Sequence, residues 1–133
     1  MTQTSRIGVD VASVEAVANS LATFGAAYLT RVYTARELEL CGGGSPHPGR
    51  LAERFAAKEA VAKALGVHDE PLDVKDVEIG ADRAGRCVVH LTASAERVAR
   101  REGLVGLAVS VSRAANCATA LAVATFAAAE VRS

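Results

Sequence analysis

The stretch from Arg50 to Gly66, RLAERFAAKEAVAKALG, constrains this chain most: its residue types demand a helix, while its six charges do not gather on one side. At about 100° per residue, Leu51, Phe55, Val61, Ala62 and Leu65 mark the apolar side, and Arg54 and Lys58 fall within the same arc. Glu59 and Lys63 sit together beside it. A surface helix keeps its charges on one solvated half, so this helix is either contacted from several directions or carries charge beside a ligand. The plainer alternative is that Arg54 and Lys58 snorkel, and that Glu59 and Lys63 form an ordinary i,i+4 ion pair contributing about 0.3–0.5 kcal/mol.

A chain of 133 residues is predicted to form one domain, spanning 1–133, that buries about two-thirds of its unfolded surface without disulfide or metal staples. Fifteen basic residues balance fifteen acidic ones, which argues against general affinity for nucleic acid or for an acidic membrane surface. An anionic ligand must therefore be met by a local cluster. Cys41, Cys87 and Cys117 have neither metal-site nor framework spacing, which fits small hydrophobes in a reducing cytoplasm. The N-terminal MTQTSRIGVD has no apolar signal core, so a cytoplasmic location is expected. With three Phe, two Tyr and no Trp, a stacking platform for bases or sugars is unsupported.

Ile7–Val11 reads as a short buried strand delivering Asp10 near its end, and Ser13 then offers an N-cap. Val14, Val17, Leu21 and Phe24 at helical spacing, closed by Gly25, predict a first helix over Ser13–Phe24 whose exposed face is nearly uncharged. Thr34 and Glu37 form a T-x-x-E capping box for a short helix, and Gly42–Gly49 is a loop before the long helix. Val77 and Ile79, then Cys87, Val89 and Leu91, alternate on either side of ADRAG, predicting a hairpin that turns at Asp82–Gly85. A helix over Ser94–Glu102 and strands over Leu104–Ser112 and Ala118–Thr125 complete the pattern, the last rich enough in alanine to pass for helix. The fold class is α+β, a long central helix packed on an antiparallel sheet. An Ala/Val-rich surface on the C-terminal strands and first helix would be hard to leave in water.

Three features stand in order along the chain: Gly8-x-Asp10, the block Arg54-Phe-Ala-Ala-Lys-Glu-Ala60 followed by Lys63, and Asp82-x-x-Gly85-Arg86. Together they resemble the holo-acyl-carrier-protein synthase family, the small trimeric class of 4′-phosphopantetheinyl transferases. Arg31-Val-Tyr-Thr-Ala-Arg-Glu37 is similar to that family's RxLTxxE, so the resemblance runs from about Ile7 to about Val123.

The resemblance implies transfer of phosphopantetheine from coenzyme A to a serine of an acyl or peptidyl carrier protein. By the same resemblance, Asp10 and Glu59 hold Mg²⁺, which favours oxygen ligands and keeps waters. Lys63 would reach the pyrophosphate, Glu59 or a metal-held water would draw the serine proton, and Arg54 would neutralise another coenzyme A phosphate. Gly85 and Arg86 would line the coenzyme A groove. The family's C-terminal signature, H-V-S-x-S-H, corresponds here to Ala108-Val-Ser-Val-Ser-Arg113, where Arg113 is either a phosphate ligand or a solvated strand-end charge. The family docks its acidic carrier with basic residues on the first helix, whereas the first helix here carries Glu15 and no Lys or Arg. The implied assembly is a homotrimer with coenzyme A sites at subunit interfaces. Two rival readings keep the fold: a recruited homologue acting on a carrier-bound acyl thioester, for example by dehydration or isomerisation, and a non-catalytic protein that binds coenzyme A or a carrier.

Overall fold

The computed structural model describes residues 2–66 and 71–128. Strand β1 (Gln3–Ser13) leads into helices α1 (Val14–Phe24), α2 (Ala26–Val32), α3 (Ala35–Leu40) and α4 (Pro48–Leu65). A 3₁₀ turn at Val74–Asp76 then precedes the hairpin strands β2 (Val77–Ala81) and β3 (Cys87–Leu91), followed by α5 (Ala93–Glu102), β4 (Leu104–Ala114) and β5 (Cys117–Ala127). The class is α+β, as the residue pattern predicts. The early strand is longer than the apolar run Ile7–Val11 indicates, because β1 pairs with β5 along its whole length, from Gln3↔Ala127 to Ser13↔Cys117.

The main sheet is antiparallel in the order β1-β5-β4, and the hairpin forms a separate two-stranded sheet. Ala118, Ala120, Ala122 and Ala124 of β5 all face inward and are buried under α4. Alanines on the strand meet alanines on the helix (Ala56, Ala57, Ala60 and Ala64), so helix and sheet approach closely. The approach is tightest at Gly8: a Cβ there would lie 1.9 Å from the Ala60 carbonyl oxygen and 2.8 Å from the Ala64 nitrogen. Only glycine lets the backbone of α4 rest on β1 at this point.

The ends of α4 are set by local chemistry. His47 is its N-cap, accepting the Arg50 N–H through Nδ1 at 3.2 Å, Pro48 opens the first turn, and Gly66 closes it in the left-handed region at φ 70°. Ser13 and Thr34 cap α1 and α3 as predicted, Thr34 with a complete capping box. Helix α2 has no counterpart among the sequence expectations: Gly25, read there as a terminator, is also the N-cap of the next helix.

The expectation that Lys58 snorkels to solvent is overturned. Its side chain is fully buried beside that of Glu37, with Lys58 Nζ 2.6 Å from Glu37 Oε1. Alanine-sized neighbours leave a pocket in which the ammonium finds a carboxylate and a backbone carbonyl, so it need not reach water. The expected apolar surface is also redistributed. The β5 alanines are covered, and exposed apolar side chains on the other face of the sheet come chiefly from β1 (Ile7, Val9 and Val11), joined by Leu121.

Candidate functional site

Asp10 lies two residues beyond Gly8 and therefore on the same face of β1, toward α4. The close contact at Gly8 brings α4 within reach of it. Lys63 Nζ donates to Asp10 Oδ1 at 2.9 Å and to the Val9 carbonyl oxygen at 3.0 Å. The local Glu59–Lys63 ion pair is thus replaced by one between residues 53 apart in sequence. Lys63 is 55% exposed, so this pair contributes no more than about 1 kcal/mol to stability.

Glu59 completes the group. Burial pushes its carboxyl group above the ordinary value of 4.5, the charge of Asp10 pushes it further up, and Lys63 partly offsets both. Two carboxylates and one ammonium therefore share a single electrostatic neighbourhood where β1 crosses α4. Among the described residues no group of three or more His, Cys, Asp or Glu side chains forms a metal cage. Two oxygen ligands with repelling charges suit Mg²⁺, which takes one or two carboxylates and fills its other positions with water and phosphate oxygens. A cation there would relieve the repulsion that raises Glu59, so the donor set fits.

Arg54 stands on another side of α4. Five residues from Glu59, it is rotated from it by about 140° around a helix of 3.6 residues per turn. It borders a small open cleft together with Glu53, Gly80, Ala81, Gly85 and Cys87. Its Nε is buried without a hydrogen-bond partner, which leaves a donor for an anionic ligand. Gly85 reaches this cleft through the hairpin turn, where Asp82 Oδ1 accepts the Ala84 and Arg86 N–H groups, both at 2.9 Å. Arg86 is outside the cleft lining and pairs with Asp82 (Nε to Oδ2, 3.1 Å).

The positions corresponding to the two signature histidines lie on opposite faces of β4, because their spacing of five residues is odd. Ala108 is exposed on the outer face. Arg113 reaches back toward α4, 3.3 Å from Glu53 Oε1, and its guanidinium fills the space that a side chain at Gly49 would need. Glu53 therefore borders both Arg113 and the Arg54 cleft, a role that sequence reasoning missed. Its place next to Arg54 in the motif was the available signal. The structure thus gathers Asp10, Glu59 and Lys63 in one group and Arg54 and Gly85 in a second, with Arg113 tied to the second through Glu53.

Residues 6–120 match the 4′-phosphopantetheinyl transferase superfamily. A holo-[acyl-carrier-protein] synthase from Desulforudis audaxviator is 41% identical over 118 residues, covering 89% of this chain and 90% of the relative. The fold is similar to that of a Chronobacterium ammoniagenes synthase in complex with coenzyme A (TM-score 0.81, 26% identity, covering 94% of this chain and 99% of that one). It is also similar to the Neisseria meningitidis holo-[acyl-carrier-protein] synthase (TM-score 0.80, 28% identity, covering 90% and 96%).

Proposed function

The chain belongs to the 4′-phosphopantetheinyl transferase superfamily, and on that footing we propose that it transfers 4′-phosphopantetheine from coenzyme A to a serine hydroxyl of an acyl or peptidyl carrier protein, with Mg²⁺ at Asp10 and Glu59. The observation that carries this reading is the convergence of Asp10, Glu59 and Lys63 where Gly8 lets α4 lie on β1. The name of the Desulforudis relative and the coenzyme A complex of the Chronobacterium protein support the pair of substrates.

The serine oxygen attacks the pyrophosphate phosphorus that carries the pantetheine. The bond from that phosphorus to the bridging oxygen breaks, and 3′,5′-ADP leaves. Mg²⁺, when bound, would neutralise charge on pyrophosphate oxygens. Glu59, whose carboxyl group burial and then the charge of Asp10 push above the ordinary value, accepts the serine proton. Lys63, held beside Asp10 and still half exposed, turns its ammonium to the leaving phosphate. Arg54 binds a phosphate at the nucleotide end with its unpartnered Nε–H, Gly85 forms the hairpin side of the same groove, and Arg86, outside that lining, steadies the turn through Asp82. Arg113 contributes a second guanidinium once Glu53 yields to the ligand.

The assembly proposed is a homotrimer acting in the cytoplasm. The apolar outer face of β1 and β5 supports self-association, and free cysteines suit a reducing compartment. Among the described residues no helix is long and apolar enough to cross a membrane.

The test is mass spectrometry of apo-carrier proteins incubated with the protein, coenzyme A and Mg²⁺. Wild type adds one phosphopantetheine to the carrier, and Glu59→Gln adds none. Carriers left unmodified by a protein that binds coenzyme A favour the binding homologue. A mass change on an acyl-carrier substrate instead, such as loss of water, favours the recruited enzyme.

A further inference from the structure

The fully buried pair Glu37–Lys58 belongs to neither group of the site, yet it touches the wall of one of them. Lys58 Nζ donates to Glu37 Oε1 and to the Val77 carbonyl oxygen, both at 2.6 Å. Glu37 Oε1 also accepts the Thr34 N–H at 2.9 Å, and Oε2 accepts the Ile79 N–H at 2.9 Å. Residues i and i+2 of a strand turn their backbone groups to the same edge, so Val77 C=O and Ile79 N–H both lie on the edge of β2 facing away from β3. No other strand pairs there among the described residues. One carboxylate oxygen and one ammonium proton thus supply the two hydrogen bonds that a third strand would otherwise make.

This clamp fixes β2 against α4. Gly80 and Ala81, the next residues of β2, line one wall of the cleft, and Arg54, one helical turn before Lys58, lines the facing wall. A buried ion pair is a poor source of net stability, since the desolvation of two charges consumes most of their attraction. It is well suited to specifying a single arrangement.

We propose that Glu37 and Lys58 are positioning residues that set the width of the Arg54 cleft for the nucleotide end of coenzyme A. The inference rests on the transferase reading for the identity of the ligand. The test compares wild type, Lys58→Met, Glu37→Gln and the double variant E37Q/K58M by calorimetric titration with coenzyme A. KM for coenzyme A, KM for the carrier and kcat are measured alongside. Glu37→Gln keeps an acceptor for the Ile79 N–H and decides the question if Lys58→Met fails to fold.

Positioning predicts coenzyme A affinity weakened about tenfold or more in the folded variants, with KM for the carrier unchanged. The double variant regains thermal stability but not affinity, because removing both charges relieves the buried charge without rebuilding the clamp. A merely structural pair would lower the amount of active protein and leave KM for coenzyme A unmoved, and that result overturns the proposal. Wild type that fails to bind coenzyme A would instead overturn the transferase reading itself.

Discussion

Glu59 shows how one residue's chemistry depends on a neighbour far off in sequence. Its carboxyl group is raised above 4.5 by burial and then by Asp10, so the folded state favours the protonated form relative to the unfolded chain. The stabilising contribution is therefore fully present below the unfolded value and is lost as pH rises through the raised folded value. Without metal, melting temperature should fall across that window, and Glu59→Gln should flatten the fall. Mg²⁺, binding the ionised pair, should raise the melting temperature of wild type at neutral pH and do little near pH 4. Thermal denaturation at several pH values, with and without Mg²⁺, checks both; an equal Mg²⁺ effect on Glu59→Gln would contradict the metal assignment. Residue types agreed with the roles that the family resemblance implied, carboxylates for a cation and a lysine for phosphate. They could not indicate that Lys63 abandons Glu59 for Asp10, because helical spacing registers only neighbours three or four positions away.

At the scale of elements, the site depends on how closely α4 lies on β1. The closing Gly66 of α4 and the turn residues of the hairpin made both elements legible in the sequence, since their signals are local. The N-cap at His47 was not read, and α4 begins at Pro48, inside the stretch expected to be a loop. Helix α2 was not legible, because Gly25 serves two helices at once. The burial of Lys58 was hidden as well, since its partners Glu37, Val77 and Ile79 lie on two other elements. The contact at Gly8 is the sharpest case: Gly-x-Asp reads as a weak motif, and its meaning lies in the Ala60 backbone across from it. Replacing Gly8 by Ala puts a methyl group against that backbone, and the helix must shift. The expected cost is about 1–3 kcal/mol in urea unfolding, the range typical of overpacking. Activity should fall more than the lost folded fraction explains, because the same shift separates Glu59 and Lys63 from Asp10. A variant that loses stability but keeps full kcat per folded molecule would break the link between this contact and the chemistry.

For the whole molecule, the unresolved balance is between the two faces of the main sheet. One face is closed by α4 through a lining of alanines. The other leaves Ile7 65% exposed, Val9 48%, Val11 60% and Leu121 43%. These side chains form one contiguous surface, since β1 and β5 are paired neighbours and Val9 stands directly opposite Leu121. Isolated exposed hydrophobic residues are common, but a row of them on adjacent strands marks a face that gains by being covered. The proposed homotrimer would cover it with two further copies, and Ala108, on the outer face of β4, would then lie near the subunit boundary. Introducing a charge at the centre of the row, as Val9→Glu, should yield monomers by light scattering while the sheet still forms, because the substituted side chain points away from α4. If coenzyme A sites straddle subunits, the monomer should bind coenzyme A weakly even with Arg54, Glu59 and Lys63 intact. A fully active Val9→Glu monomer would mean that each chain carries a complete site of its own; a variant that remains trimeric would remove this face from the interface.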